Sequence, residues 1–302
     1  MKGLLWSTTR PGRRRAACEA RSRRSSGAAA LAATFAVCAG CSPFTAVNLA
    51  SPSGYVAERG IAYGPGERQA LDAYRPSTAA GDASLVVFFY GGGWRSGSRQ
   101  DYEFVASALT AQGFVVVIPD YRLHPEVAFP AFVEDGARAV AWAAENAERL
   151  GASGRRLFLA GHSAGAHIAA LLALDPRYLE AVMPDPPVIA GFAGLSGPYD
   201  FLPLEPGYLQ AVFPEQTRGQ SQPVDFASAD DPPALLVHGK DDTRVLPGNS
   251  EHLAAALESA GVPVRLRLYE DTGHAAVVAA LAPPLAFLAP TLEDLSAFVR
   301  SR

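Results

Sequence analysis

From about Tyr55 onward, short continuous apolar runs alternate with longer stretches whose apolar positions recur at helical spacing. The runs at residues 85–90 (LVVFFY) and 114–118 (FVVVI) lack the alternation of a strand with one wet face, so they predict strands covered on both sides. Further strands are expected at 71–74, 156–160, 188–195, 234–237 and 264–269, and helices at 102–111, 132–150, 164–174, 249–260 and 292–300. Strand and helix in alternation predict an α/β domain built on a mainly parallel sheet. Residues 197–233, rich in proline and glycine, follow neither period and are expected to form a small irregular cap. The apolar stretch 275–290 is broken by Pro283, Pro284 and Pro290, which argues against a membrane span.

Composition narrows the class. The chain has 302 residues, 49% of them hydrophobic and 19% charged, enough apolar material for one large core without metal or disulfide staples. Its net charge of -4 is unevenly spread: residues 1–41 carry +7 and the remainder -11. An acidic folded part excludes a nucleic-acid partner, which would need a basic surface. All three cysteines (Cys18, Cys38 and Cys41) lie in the basic segment, so no disulfide can form within the domain.

That basic segment has the anatomy of an export signal: arginines, then the apolar run 28–40, then Cys41-Ser42-Pro43. Thirteen residues are too few to span a bilayer. Its end, Val37-Cys38-Ala39-Gly40-Cys41, resembles a bacterial lipobox, with Cys38 where leucine is usual. The resemblance implies a lipid on Cys41 and a membrane-anchored lipoprotein facing the periplasm or the cell exterior; the alternative is cleavage without a lipid. The long basic stretch fits either a start further downstream or a degenerate twin-arginine signal. On this reading residues 1–41 are an export signal, 42–54 a tether and 55–302 the domain.

Ligands of open α/β sheets bind beyond the carboxyl ends of the strands, and four turns there carry chemistry. The first is Gly161-His162-Ser163-Ala164-Gly165, a G-x-S-x-G sequence between a predicted strand and a predicted helix. Glycine on both flanks suits a turn too tight for side chains, which thrusts the serine out as a nucleophile beside the N-H groups of the helix; a plain loop is the alternative. The second, Gly91-Gly92-Gly93-Trp94, bares backbone N-H groups suited to an oxyanion. A phosphate loop is excluded because Ser98 stands where lysine is needed; a merely flexible turn is the alternative. The third, His238-Gly239-Lys240-Asp241-Asp242, offers two carboxylates, of which only one can face an imidazole. The fourth is Gly273-His274. The order serine, aspartate, histidine is the triad order of one serine-hydrolase fold and of neither other familiar one.

Together these residues resemble the α/β-hydrolase superfamily, specifically the hormone-sensitive-lipase-like and bacterial feruloyl-esterase-like carboxylesterases. The resemblance covers nearly all of 55–302 and implies an eight-stranded, mainly parallel sheet. It maps the catalytic triad to Ser163, Asp242 and His274, since His238-Gly239-x-x-Asp242-x-x-Val245 matches the family's acid motif and favours Asp242 over Asp241. The oxyanion donors map to the backbone N-H groups of Gly92, Gly93 and Ala164. Tyr90 stands where the family has histidine before the glycines, which implies a different anchor for the loop. The segment Pro119-Asp120-Tyr121-Arg122-Leu123 and Phe129-Pro130-Ala131 read as structural.

The other five histidines, His124, His162, His167, His238 and His252, have no metal-motif spacing and read as structural. No metal or cofactor is expected. The implied activity is hydrolysis of small to medium carboxylic esters through an acyl-serine. Two alternatives stand beside it: an arylformamidase or other amide hydrolase of the same fold, and a non-catalytic surface binding module on a hydrolase scaffold. Trp94, Leu123 and Phe129 are either pocket walls or core. The oligomeric state is not legible.

Overall fold

The computed structural model describes residues 43–78, 82–205 and 207–301. The expected export segment 1–41, with the candidate lipid site Cys41, lies outside them. One eight-stranded sheet organises the rest, in the order β1-β2-β4-β3-β5-β6-β7-β8. The strands are β1 (Tyr55–Ala62), β2 (Ala70–Pro76), β3 (Ala83–Phe89), β4 (Val115–Pro119), β5 (Ala152–His162), β6 (Ile189–Leu195), β7 (Ala234–Gly239) and β8 (Val264–Tyr269). From β4 to β8 all pairings are parallel; β1 and β2 run antiparallel to their neighbours.

The central strands are the apolar runs of the sequence. In β4 every residue is buried, and Val86 of β3 pairs with Val116 on one side and Phe158 on the other. Their double coverage follows from topology. The chain leaves β3 toward β4 on one side but leaves β4 for β5 and β5 for β6 in the opposite direction. Right-handed crossovers running in opposite directions place their helices on opposite faces. Helix Glu103–Ala111 therefore covers one face, together with Thr291–Arg300, which it touches. Helices Ala131–Glu145 and Ala164–Leu174 pack together on the other. Connections diverge between β3 and β5, which opens a crevice at their carboxyl ends.

Three expectations change. The strand β1 carries no clear sequence signal because it is an edge: it is half exposed, interrupted by Glu58-Arg59-Gly60, and its register shifts between Glu58 and Ile61. A bulge and charges of this kind protect an edge from pairing with another chain. The expected helix 132–150 ends at Glu145, where the Asn146 side chain donates to Trp142 O (2.9 Å) and the chain turns toward Gly151. Of the expected tether 42–54, the described residues 43–54 are docked. Its helix Pro43–Leu49 carries Asn48, whose amide donates to Gln100 O (2.8 Å) and accepts from Phe104 N (2.9 Å), while Ser107 Oγ donates to Pro52 O.

Among the described residues of the cap, 197–233, regular structure is limited to single turns of helix at Leu209–Val212 and Glu215–Arg218 and a 3₁₀ turn at Pro223–Phe226. Among the described residues no helix is long and apolar enough to cross a membrane.

Candidate active site

All four motif turns lie at the carboxyl edge of the sheet, two of them flanking the crevice. Ser163 follows β5 directly, with φ 55° and ψ -121°, a conformation unusual for a residue with a side chain. Its neighbours explain how it is held. A Cβ on Gly161 would stand 2.4 Å from Gly165 O, and one on Gly165 would stand 2.1 Å from Phe89 O. Strand and helix thus approach so closely that only glycine fits at either flank. Ser163 N donates to Leu195 O (2.9 Å), and the helix Ala164–Leu174 begins at the next residue.

His274, first residue of the short helix His274–Ala279, reaches Ser163 from the far side. Its Nε2 lies 2.9 Å from Ser163 Oγ and its Nδ1 2.6 Å from Asp242 Oδ2. The imidazole is 12% exposed, so it can be approached from solvent, whereas the Asp242 carboxylate is fully buried. Asp242 Oδ1 accepts from the N-H groups of Arg244 (2.9 Å) and Val245 (3.0 Å), and Oδ2 also lies 3.2 Å from His238 Nε2. Burial alone would raise this carboxyl, but His238, His274 and the Val245 N-H outweigh it and hold it well below the usual carboxylate range. Asp241 is exposed, and its backbone N-H donates to Thr272 O (3.0 Å).

Two histidines read as structural touch this chain of bonds. His238 Nδ1 accepts from Ser250 Oγ (2.8 Å), which leaves Nε2-H to donate to Val245 O (2.8 Å) and toward Asp242. His162 places Nε2 3.2 Å from His274 O and Nδ1 3.2 Å from Tyr102 Oη. Burial, with the neighbouring His274, lowers its pKa to about 3, so it stays neutral. His162 Nε2-H thereby donates to the backbone carbonyl of His274.

The glycine loop after β3 is a tight turn. Gly92 O accepts from Arg95 N and Ser96 N (both 3.2 Å) and from Ser96 Oγ (3.0 Å). In a trans peptide the N-H points opposite to the carbonyl, so Gly93 N-H is directed away from the turn. A Cβ on Gly91 would stand 3.1 Å from Ser163 Cβ, which sets the loop against the serine. Gly92 and Gly93 have φ 142° and 61°, and Ala164 N lies at the start of the helix facing the same crevice.

Tyr90 anchors that loop. Its buried hydroxyl donates to Asp120 Oδ1 (2.9 Å) and accepts from Arg68 Nη2 (2.6 Å), while Tyr121 Oη donates to Tyr90 O (2.8 Å). Asp120 also accepts from Arg99 N (2.8 Å) and pairs with the Arg99 guanidinium, whose Nε bonds Asp72 Oδ1 (2.8 Å). Four charged side chains on separate elements thus hold the tyrosine, and the segment 119–122 supplies part of them. Trp94 and Phe129 are buried against Phe132, Phe213 and His167, and belong to the core under the cap; Leu123 is partly buried against the same core. Among the described residues no cluster of histidine, cysteine or carboxylates could hold a metal ion.

A sheet in this order, with a strained serine after β5, an acid after β7 and a histidine after β8, defines the α/β-hydrolase class. The BD-FAE family model matches residues 71–205. Esterase LipC of Mycobacterium tuberculosis is 31% identical over 210 residues, covering 62% of this chain and 52% of that protein. Kynurenine formamidase of Danio rerio is 31% identical over 229 residues, covering 72% of this chain and 74% of that one. The chain thus spans about half the length of the first of these curated relatives. Among solved structures, an inhibited esterase B from Lactobacillus rhamnosis superposes with a TM-score of 0.74 over 85% of this chain and 92% of that one; at 21% identity the likeness is one of fold. The chain belongs to the α/β-hydrolase superfamily, with a BD-FAE match over residues 71–205.

Proposed function

We propose that the protein is a serine carboxylesterase acting on small to medium esters. One observation carries the reading: His274 bridges Ser163 Oγ and Asp242 Oδ2 at 2.9 and 2.6 Å. In this mechanism Ser163 Oγ attacks the ester carbonyl as its proton passes to His274 Nε2. Buried Asp242 holds Nδ1-H, fixing the tautomer and stabilising the imidazolium. The N-H groups of Gly92, Gly93 and Ala164 receive the oxyanion, where one donor is worth on the order of 10²- to 10³-fold in rate. As the tetrahedral intermediate collapses, the leaving alkoxide takes the proton from His274. Water then attacks the acyl-serine by the same route, releasing the acid and restoring the serine.

Kinship to esterase LipC supports ester chemistry, and the low, irregular cap supports short acyl groups. The formamidase relative, of which the chain covers 74%, favours a second reading as an amide hydrolase. A panel of p-nitrophenyl esters from acetate to palmitate, run beside N-formylkynurenine, separates them. Highest kcat/KM at two to six carbons is expected; a formamide rate above every ester selects the second reading. The same proposal takes residues 1–41 as an export signal with Cys41 as lipid site. Incorporation of labelled palmitate, lost in Cys41→Ser, tests that part.

A further inference from the structure

Tyr208, in the cap, is set against the oxyanion loop from above. A Cβ on Gly93 would stand 2.7 Å from Tyr208 Oη and 3.7 Å from its Cζ, so the hydroxyl lies directly beside the third glycine of the loop. The residue is 40% exposed, and no group among the described residues hydrogen-bonds that hydroxyl. Arg95, from the oxyanion loop itself, lays its guanidinium 4.2 Å over the Tyr208 ring. None of the Arg95 guanidinium N-H groups has a hydrogen-bond partner among the described residues.

Several arginines of this region are neutralised, whereas Arg218 of the cap and Arg244 of the acid loop, like Arg95, have no ion pair among the described residues. Arg68 and Arg99 pair with Asp120, Arg122 and Arg138 with Asp135, and Arg177 with Asp175. Arg95 has no acid partner among the described residues. An unneutralised guanidinium and a free phenol therefore stand together at the rim of the crevice, on a domain whose net charge is -11. Their donors suit a carboxylate, which accepts from the fork of an arginine and from a hydroxyl at once. The loop that carries Arg95 packs Gly91 against Ser163 and Gly93 against Tyr208, so the pair borders the same loop that faces the serine.

Building on the ester-hydrolase reading, we propose that Arg95 and Tyr208 form a recognition element for esters that carry a second, ionised carboxyl group, such as monoesters of short dicarboxylic acids. The test compares monomethyl glutarate with methyl pentanoate, matched in chain length and differing in the terminal carboxylate. The readout is the ratio of their kcat/KM values for the full-length protein, Arg95→Met, Arg95→Lys and Tyr208→Phe. The ratio should fall at least tenfold in Arg95→Met and about threefold in Tyr208→Phe, recover in part in Arg95→Lys, and shrink as salt rises from 50 to 500 mM. A ratio unchanged in both Arg95→Met and Tyr208→Phe, or insensitive to salt, overturns the proposal. Fluorophosphonate labelling of Ser163 reports the hydrolase reading separately. If labelling and turnover both fail, calorimetry of monomethyl glutarate on Ser163→Ala, with and without Arg95→Met, decides. Binding weakened tenfold or more by Arg95→Met supports the element, and equal binding overturns it.

Discussion

The serine turn and the cap face each other across one crevice and are held by opposite means. At the turn, backbone meets backbone: Gly161 and Gly165 leave no room for a single carbon, and Ser163 keeps a strained conformation because strand and helix clamp it. In the cap, backbone meets side chain. Asn249 Oδ1 accepts from Tyr199 N and Asp200 N (both 2.9 Å), and Gln222 Oε1 accepts from Phe201 N (2.7 Å). The first device fixes geometry to fractions of an ångström and tolerates no change. The second sets a surface whose residues can vary while the chemistry beneath is kept, the division expected where loops carry specificity on a rigid scaffold.

This contrast orders the effects of substitution. The steepest loss belongs to the chain of bonds at the serine: Asp242→Asn should lower kcat by on the order of 10⁴-fold with little change in melting temperature, because the wrong tautomer of His274 then faces Ser163. Gly165→Ala should cost more than about 4 kcal/mol, since its Cβ meets Phe89 O and Tyr90 O with no flexible neighbour to yield. Thermal melting checks it, and a variant that melts within 3 °C of the parent would break the clamp account.

Acid should act through the buried imidazoles near the turn. Burial lowers His162 to about 3 and His167 to about 4. Between the ordinary value near 6.5 and these figures the unfolded chain binds protons that the folded chain refuses. Stability is therefore full above about pH 6.5 and falls as pH drops through the window. At pH 5 each histidine contributes about 2 kcal/mol of that loss. Denaturation at pH 7 and pH 5 measures the slope, and His167→Gln, which keeps a donor for Ser221 O, should remove its share.

Tyr90→Phe should cost about 1–3 kcal/mol, as it strips one partner from Asp120 and Arg68 in the anchor. Smallest of all, Asn249→Ala should raise KM by about three- to tenfold with kcat within about twofold, because it loosens the cap and leaves the turn alone. A loss in kcat as large as that of a triad variant would erase the distinction between the two regions.

Legibility followed the same division. The serine turn could be read from five consecutive residues because its physics is local: glycine, strand before, helix after. The central strands announced themselves as apolar runs because burial on both faces leaves no other composition. The aspartate was different. Asp241 and Asp242 are equal as sequence, and only the resemblance favoured one; the structure separates them by burial, with Asp242 nearly inaccessible. The anchor of Tyr90 spans Arg68, Asp72, Arg99 and Asp120, whose spacing has no period, so nothing in the order of residues announces that they meet. Edge strand β1 and the docked helix Pro43–Leu49 were hidden for a related reason: both are held by contacts to distant residues, with weak patterns of their own.

The central claim is that Ser163, activated by His274 and Asp242, is a nucleophile. Mass spectrometry of the protein after exposure to a fluorophosphonate tests it most directly. One adduct per chain, mapped to the peptide containing Ser163, abolished in Ser163→Ala and slowed at least a hundredfold in His274→Ala, is the predicted result. Absence of the adduct on folded protein, or an adduct on another residue, would contradict it.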